Sequence, residues 1–160
     1  MGNGYGERRG PPGQGGGRGP GGHGGDQGRR DREGRRDDAA PQVDKAFVDD
    51  VLSGDGEKIV RRAEELARQL ERLARAQIRN FYGPVIKLRE SERSPKEQIS
   101  RLHLMRARLA YMVARPDGRA AGPLRSAFDA LVRAVTEEEL PFLYDFAEAV
   151  VAYHRGISKN

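Results

Sequence analysis

From Val43 to Tyr153 the apolar residues of this 160-residue chain recur every three or four positions, and no stretch alternates with period two long enough to make a strand. That periodicity predicts an all-α fold, a compact bundle of five or six helices. "QVDKAFVDDVL" places Val43, Phe47, Val51 and Leu52 on one side, and Ser53-Gly54 ends the run. A second helix opens near Asp55 with Ile59, Ala63, Leu66 and Leu70 as its stripe. The phase then slips, because Leu73 and Ile78 stand five residues apart. A break or bend is expected near Leu70 to Ala74, followed by a third helix on Ile78, Phe81, Val85 and Leu88 that reaches about Arg89. Gly83-Pro84 should kink it, since proline lacks the backbone donor and crowds the preceding turn.

"SPKEQI" is a strong start signal: Ser94 caps, Pro95 fits the first helical position and Glu97 completes a capping box. The fourth helix should run to about Ala114 on Ile99, Leu102, Met105, Leu109 and Met112. "ARPDGRAAGP" reads as a loop. Pro123 opens a fifth helix through Leu124, Ala127, Phe128, Leu131 and Val135. The last helix turns Phe142, Phe146, Ala149, Val150 and Tyr153 inward, with Gly156 as its stop.

Residues 1–42 are of another kind. They are mostly Gly, Arg, Pro and Asp, with Tyr5 the only aromatic, and eight arginines stand against six acids. Such a segment buries too little surface to offset its ordering entropy, so it is expected to be a disordered Gly/Arg/Pro-rich tail. A glycine-arginine tail that touches RNA loosely fits it, and so does a solubilising leader or a misassigned start. The expected organisation is this tail, a bundle domain over 43–157 and a short C-terminal end at 158–160. The start "MGNGYGERRGPPG" has neither the apolar core of a signal peptide nor the hydroxyl residue of a myristoylation site. No apolar run approaches the ~18 residues of a membrane span.

The absence of cysteine excludes disulfides, thiolate metal sites and cysteine nucleophiles, and fits a cytoplasmic protein. His23, His103 and His154 are far apart, and no His/Asp/Glu cluster has metal-ligand spacing. No Walker loop or nucleophile elbow is present, and the tail glycines follow no strand. His154, beside Leu143 and Val150, reads as a structural histidine at the core's edge, favoured by the helix dipole when charged. No catalytic residue, metal or cofactor is expected.

The arginines remain. Glu64, Glu71 and Glu97 each precede an arginine by four (Arg68, Arg75 and Arg101), the favourable order for intrahelical ion pairs. Were the second and third helices continuous, Arg61, Arg68, Arg72, Arg75 and Arg79 would form one column. Arg79, Arg106, Arg108 and Arg115 have no acid at the preceding i−4 position, although Asp117 is within reach of Arg115. Arg101, Arg108 and Arg115 make a heptad column beside Leu104 and Tyr111, while Arg106 flanks the other edge of the apolar seam. A basic ridge with an aromatic among the charges suits a nucleic-acid backbone and an unstacked base. Arginine stems covering the core, with their heads in water, fit the same pattern.

Three stretches, "QIRNFYGPV" (77–85), "RARLAYMVAR" (106–115) and "DFAEAVVAYHR" (145–155), resemble in order and spacing the small subunit of type III-A CRISPR effector complexes, the Csm complex. The resemblance covers about residues 44–157. Three departures stand out: Arg75-Ala76 where members usually carry hydroxyl residues, Pro84 in place of an ordinary helix former, and no Phe-Tyr-Gly-Gly ending after Arg155. The resemblance implies a non-catalytic, cytoplasmic prokaryotic protein of antiviral defence. Several copies would stack beside the backbone subunits and line the channel where target RNA pairs with guide RNA, cleavage belonging to the backbone and large subunits. Its expected partners are target RNA, the guide–target duplex, the backbone and large subunits and copies of itself. The resemblance further implies that Arg79, Arg106, Arg108 and Arg115 face target-strand phosphates, with Tyr111, Arg75 and Arg101 completing the candidate RNA-binding set. A helical protein–protein adaptor without RNA contact, or the equivalent subunit of a type III-B complex, are the alternative readings.

Overall fold

The structure, a computed structural model, describes residues 43–158 together with Gly10. The expectation of a disordered tail falls on residues outside the described ones, Gly10 apart. Among the described residues there are six α-helices and one 3₁₀ turn: α1 Lys45–Leu52, α2 Gly56–Gln69, α3 Arg75–Arg89, α4 Pro95–Ala114, the turn Pro116–Ala121, α5 Gly122–Ala134 and α6 Leu140–Ile157.

Local chemistry sets most of these ends. Asp44 Oδ1 accepts the Phe47 N–H at 2.8 Å, and Asp55 Oδ1 accepts those of Glu57 and Lys58, so α1 and α2 are each capped by the residue just outside them. Between them Gly54 has φ +76°, and an added Cβ would lie 2.7 Å from Phe142 Cζ. Glu97 and Ser94 form the expected capping box of α4. Ala74 cannot cap α3 through its side chain; instead Gln77 Oε1 reaches back to the Ala74 N–H at 3.3 Å.

The break expected at 70–74 is present, so the conditional arginine column does not form. Pro84, expected to kink α3, sits inside it, and the helix reaches Arg89 as expected. The stretch expected as a loop after Ala114 is instead the 3₁₀ turn, packed on α4. It stays tight because Gly118 offers no side chain to the α4 backbone. Gly156 does not stop α6, which runs to Ile157.

One apolar core joins all six helices, with α2 lying along α6. Val51, Ala63, Ala67, Leu70, Val85 and Leu102 are wholly buried, and Phe47–Phe146 and Phe81–Phe128 meet edge to face at 5.6 and 5.0 Å. His154 lies within this core rather than at its edge, with 0% exposure.

A buried polar pair ties α6 to the start of α4. The Tyr144 hydroxyl donates to Gln98 Oε1 at 2.7 Å, and Gln98 Nε2 donates to the Arg93 carbonyl at 2.9 Å. Burial pushes the Tyr144 phenol up to about 12. The folded chain therefore keeps this proton where the unfolded chain, titrating near ~10, has lost it. Stability from this group is complete below ~10 and falls as pH rises from there through the folded value, by about 3 kcal/mol in all. Urea unfolding of wild type and Tyr144→Phe between about pH 9 and about pH 11.5 checks this: the wild type should lose stability faster across that window. Parallel curves would mean that the phenol is solvated.

Candidate nucleic-acid interface

The sequence-nominated cations divide among three places. The first is an open groove between α3 and α4, about 400 Å³, lined by Pro84, Lys87, Leu88, Arg93, Arg101, Leu104, Met105 and Arg108. Helical spacing puts Pro84 and Lys87 on one wall, and Arg101, Leu104, Met105 and Arg108 on the other. Past Arg108 it continues into a smaller cavity of about 160 Å³, whose lining adds Asn80, Phe81, Leu109 and Met112. The pair expected between Glu97 and Arg101 does not form. The Glu97 carboxylate accepts from the Ser94 N–H and hydroxyl at 3.0 and 2.9 Å. Those bonds hold Glu97 below the usual carboxylate range, with smaller help from the charges of Arg93 and Arg101. Among the described residues, Lys87, Arg93, Arg101 and Arg108 have no salt bridge to a carboxylate.

The second place is a cleft of about 260 Å³ between α3 and α6, lined by Arg75, Ile78, Arg79, Tyr82, Val151, His154 and Arg155. At 100° per residue, Arg79 and Pro84 point about 140° apart on α3, so cleft and groove open on different flanks of that helix. Arg75 was expected to pair with Glu71. Because the helix breaks between them, its guanidinium instead donates to the backbone carbonyls of Arg155, at 3.2 Å, and Ser158. Arg79 is exposed and joins no salt bridge among the described residues.

Arg106 is elsewhere: no acid stands at its i−4 position, but a carboxylate of another helix matches it. Its Nε donates to Asp129 Oδ1 of α5 at 2.8 Å, and its Nη1 lies 3.2 Å from His103 Nδ1. A guanidinium only donates, so His103 accepts through Nδ1. Two residues of helix turn Arg106 and Arg108 about 200° apart, and they cannot serve one surface patch. Arg115 pairs with Asp117 at 3.4 Å, as its sequence position suggested.

Tyr111 and Leu104 are 72% and 61% exposed, and with Arg101, Arg108 and Arg115 they form one outward stripe along α4. Lys87, Arg93 and Arg155 were not singled out from the sequence. Lys87 was legible three residues after Pro84 on the same helix face; Arg93 sits in a turn whose path no periodicity predicts. No group of His, Cys, Asp or Glu capable of holding a metal ion occurs among the described residues.

Fold and clefts together define a small all-α protein whose prominent surface features are arginine-lined concavities between helices. The family model described as Csm2 Type III-A matches residues 53–160, and the chain belongs to that family. It is therefore a small subunit of the type III-A CRISPR effector, the Csm complex, a structural component of that assembly. No curated protein and no solved structure matches the chain. The match is to type III-A, which decides against the type III-B alternative. No helix of the described residues is long and apolar enough to cross a membrane.

Proposed function

We propose that this chain is a non-catalytic RNA-binding subunit, stacked in several copies in the prokaryotic cytoplasm, that holds target RNA paired with the guide for antiviral defence. The observation that carries the RNA contact is the α3–α4 groove, where four cations surround a concavity and, among the described residues, none of them is salt-bridged to a carboxylate. A polyanion supplies the charge these groups lack, and arginine offers phosphate a planar two-pronged donor. Sequence reading is left to RNA–RNA pairing, so contacts to the backbone suffice. Arg101 and Arg108 are the principal phosphate ligands, with Lys87 across the groove and Arg93 in the turn that closes it. Arg115 and Tyr111 extend the same stripe. Arg79, with Arg75 and Arg155 beside it, forms a separate anion-binding contact on the α3–α6 flank.

The experiment is RNA binding by wild type and by Arg101→Ala/Arg108→Ala across a salt series. Each phosphate contact on single-stranded RNA contributes about 0.7 to the log–log salt slope, so the double variant should be shallower by about 1.4 and weaker at low salt. Arg106→Ala is the comparison: loss of its Asp129 partner should lower stability and leave the slope alone. Equal slopes for Arg101→Ala/Arg108→Ala and wild type, with the variant folded, would remove the groove from the RNA path. The exposed Leu104 and Tyr111 favour the adaptor reading, in which this stripe meets protein. An adaptor co-purifies with its partners and retains no RNA by itself.

A further inference from the structure

A phosphate backbone asks a surface for cations. It does not ask for an apolar lining, and the open α3–α4 groove has one. Between its charged rims lie Pro84, Leu88, Leu104 and Met105, and the space there is about 400 Å³. That is within the ~300–1,000 Å³ range of concave ligand sites. Leu104 stands 61% exposed at this lining, an apolar side chain with water over it. Arg108 and Met105 also line the adjoining cavity of about 160 Å³, so the apolar surface runs on under the arginine.

We infer that this groove seats an unpaired base of RNA on Pro84, Leu104 and Met105, with the flanking phosphates held by Arg101 and Arg108 of α4, Lys87 of α3 and Arg93 of the turn that joins them. The inference rests on the RNA-binding reading above and adds to it a base contact. Every base has an apolar face, so such a seat accepts any of the four and is indifferent to sequence. A paired base is already stacked and turned inward, so in target RNA held on the guide the seat takes only a nucleotide that the pairing leaves out. The four cations are the reason to place a nucleotide here rather than an uncharged apolar segment of another protein, because such a segment would leave those charges unmatched.

The test uses the full chain, a short single-stranded RNA and an abasic oligomer of the same length, which has the same phosphates and no bases. Wild type should bind the abasic oligomer about three- to tenfold more weakly, with the same salt slope. Leu104→Ser should lose a similar factor on ordinary RNA and nothing further on the abasic strand. Leu104 is exposed, so this change should leave the melting curve in place, and circular dichroism checks it. Equal wild-type affinity for both oligomers, with Arg101→Ala/Arg108→Ala weakening both, overturns the base seat and leaves the phosphate reading standing. If the arginine pair also has no effect, both fall. If Leu104→Ser instead turns a sedimenting dimer into a monomer at unchanged RNA affinity, the groove belongs to a second copy of the chain.

Discussion

Gly118→Ala is expected to be the most damaging single-methyl change in the described chain. A Cβ built on Gly118 would lie 1.7 Å from the backbone carbonyl oxygen of Met112 and 2.7 Å from its carbonyl carbon. Both are main-chain atoms in the last turn of α4, so no side-chain rotation relieves the overlap. The turn Pro116–Ala121 would have to lift from α4, taking with it Ala121, which is wholly buried, and the start of α5. Overpacking of this rigidity costs about 3 kcal/mol or more. Thermal unfolding should show a drop of about 10 °C at this chain size. Gly156→Ala is the matched comparison, since a Cβ there meets nothing within 4 Å and, inside α6, should leave the melting temperature unchanged or raise it slightly. Equal melting of Gly118→Ala and wild type would mean that the turn does not approach α4 so closely.

His154→Ala should destabilise the fold by about 3–4 kcal/mol, for two reasons of similar size. The imidazole is fully buried, and its removal leaves a cavity. Its Nε2 also lies 3.0 Å from the carbonyl oxygens of both Leu70 and Leu73. Carbonyls only accept, so Nε2 carries the proton and donates to both. These carbonyls lie in the break between α2 and α3, where Leu70 and Leu73 are 0% and 1% exposed and water is excluded. The Leu70 oxygen keeps the Leu73 N–H at 2.8 Å, but Leu73 loses its side-chain donor, at about 1–3 kcal/mol for an orphaned buried group. His154→Gln keeps an N–H donor and should recover part of the loss; His154→Leu refills the cavity without one. Urea unfolding of the three separates volume from hydrogen bonding. If Leu rescues as well as Gln, the two carbonyls do not depend on this donor.

The helices were legible because their signals are local. Asp55 and Ser94 each announce a start within three residues, and the five-residue gap from Leu73 to Ile78 announces the break. The site was less legible, for a reason that Arg106 illustrates. Its carboxylate partner, Asp129, is 23 residues away on another helix, and an i−4 search cannot find it. The helix break similarly took Arg75 from Glu71 and gave it to carbonyls at the far end of α6. Glu97 was claimed by its own capping box before it could serve Arg101.

Sequence by itself determined the period, the caps and the family, since these depend on neighbours along the chain and on residue order. Tertiary structure decided which cations were already matched and which remained on a shared groove, because charge pairing is a matter of distance in space. Arg101 and Arg108 kept their places only once α3 and α4 had been laid side by side, and Lys87 and Arg93 joined them for the same reason.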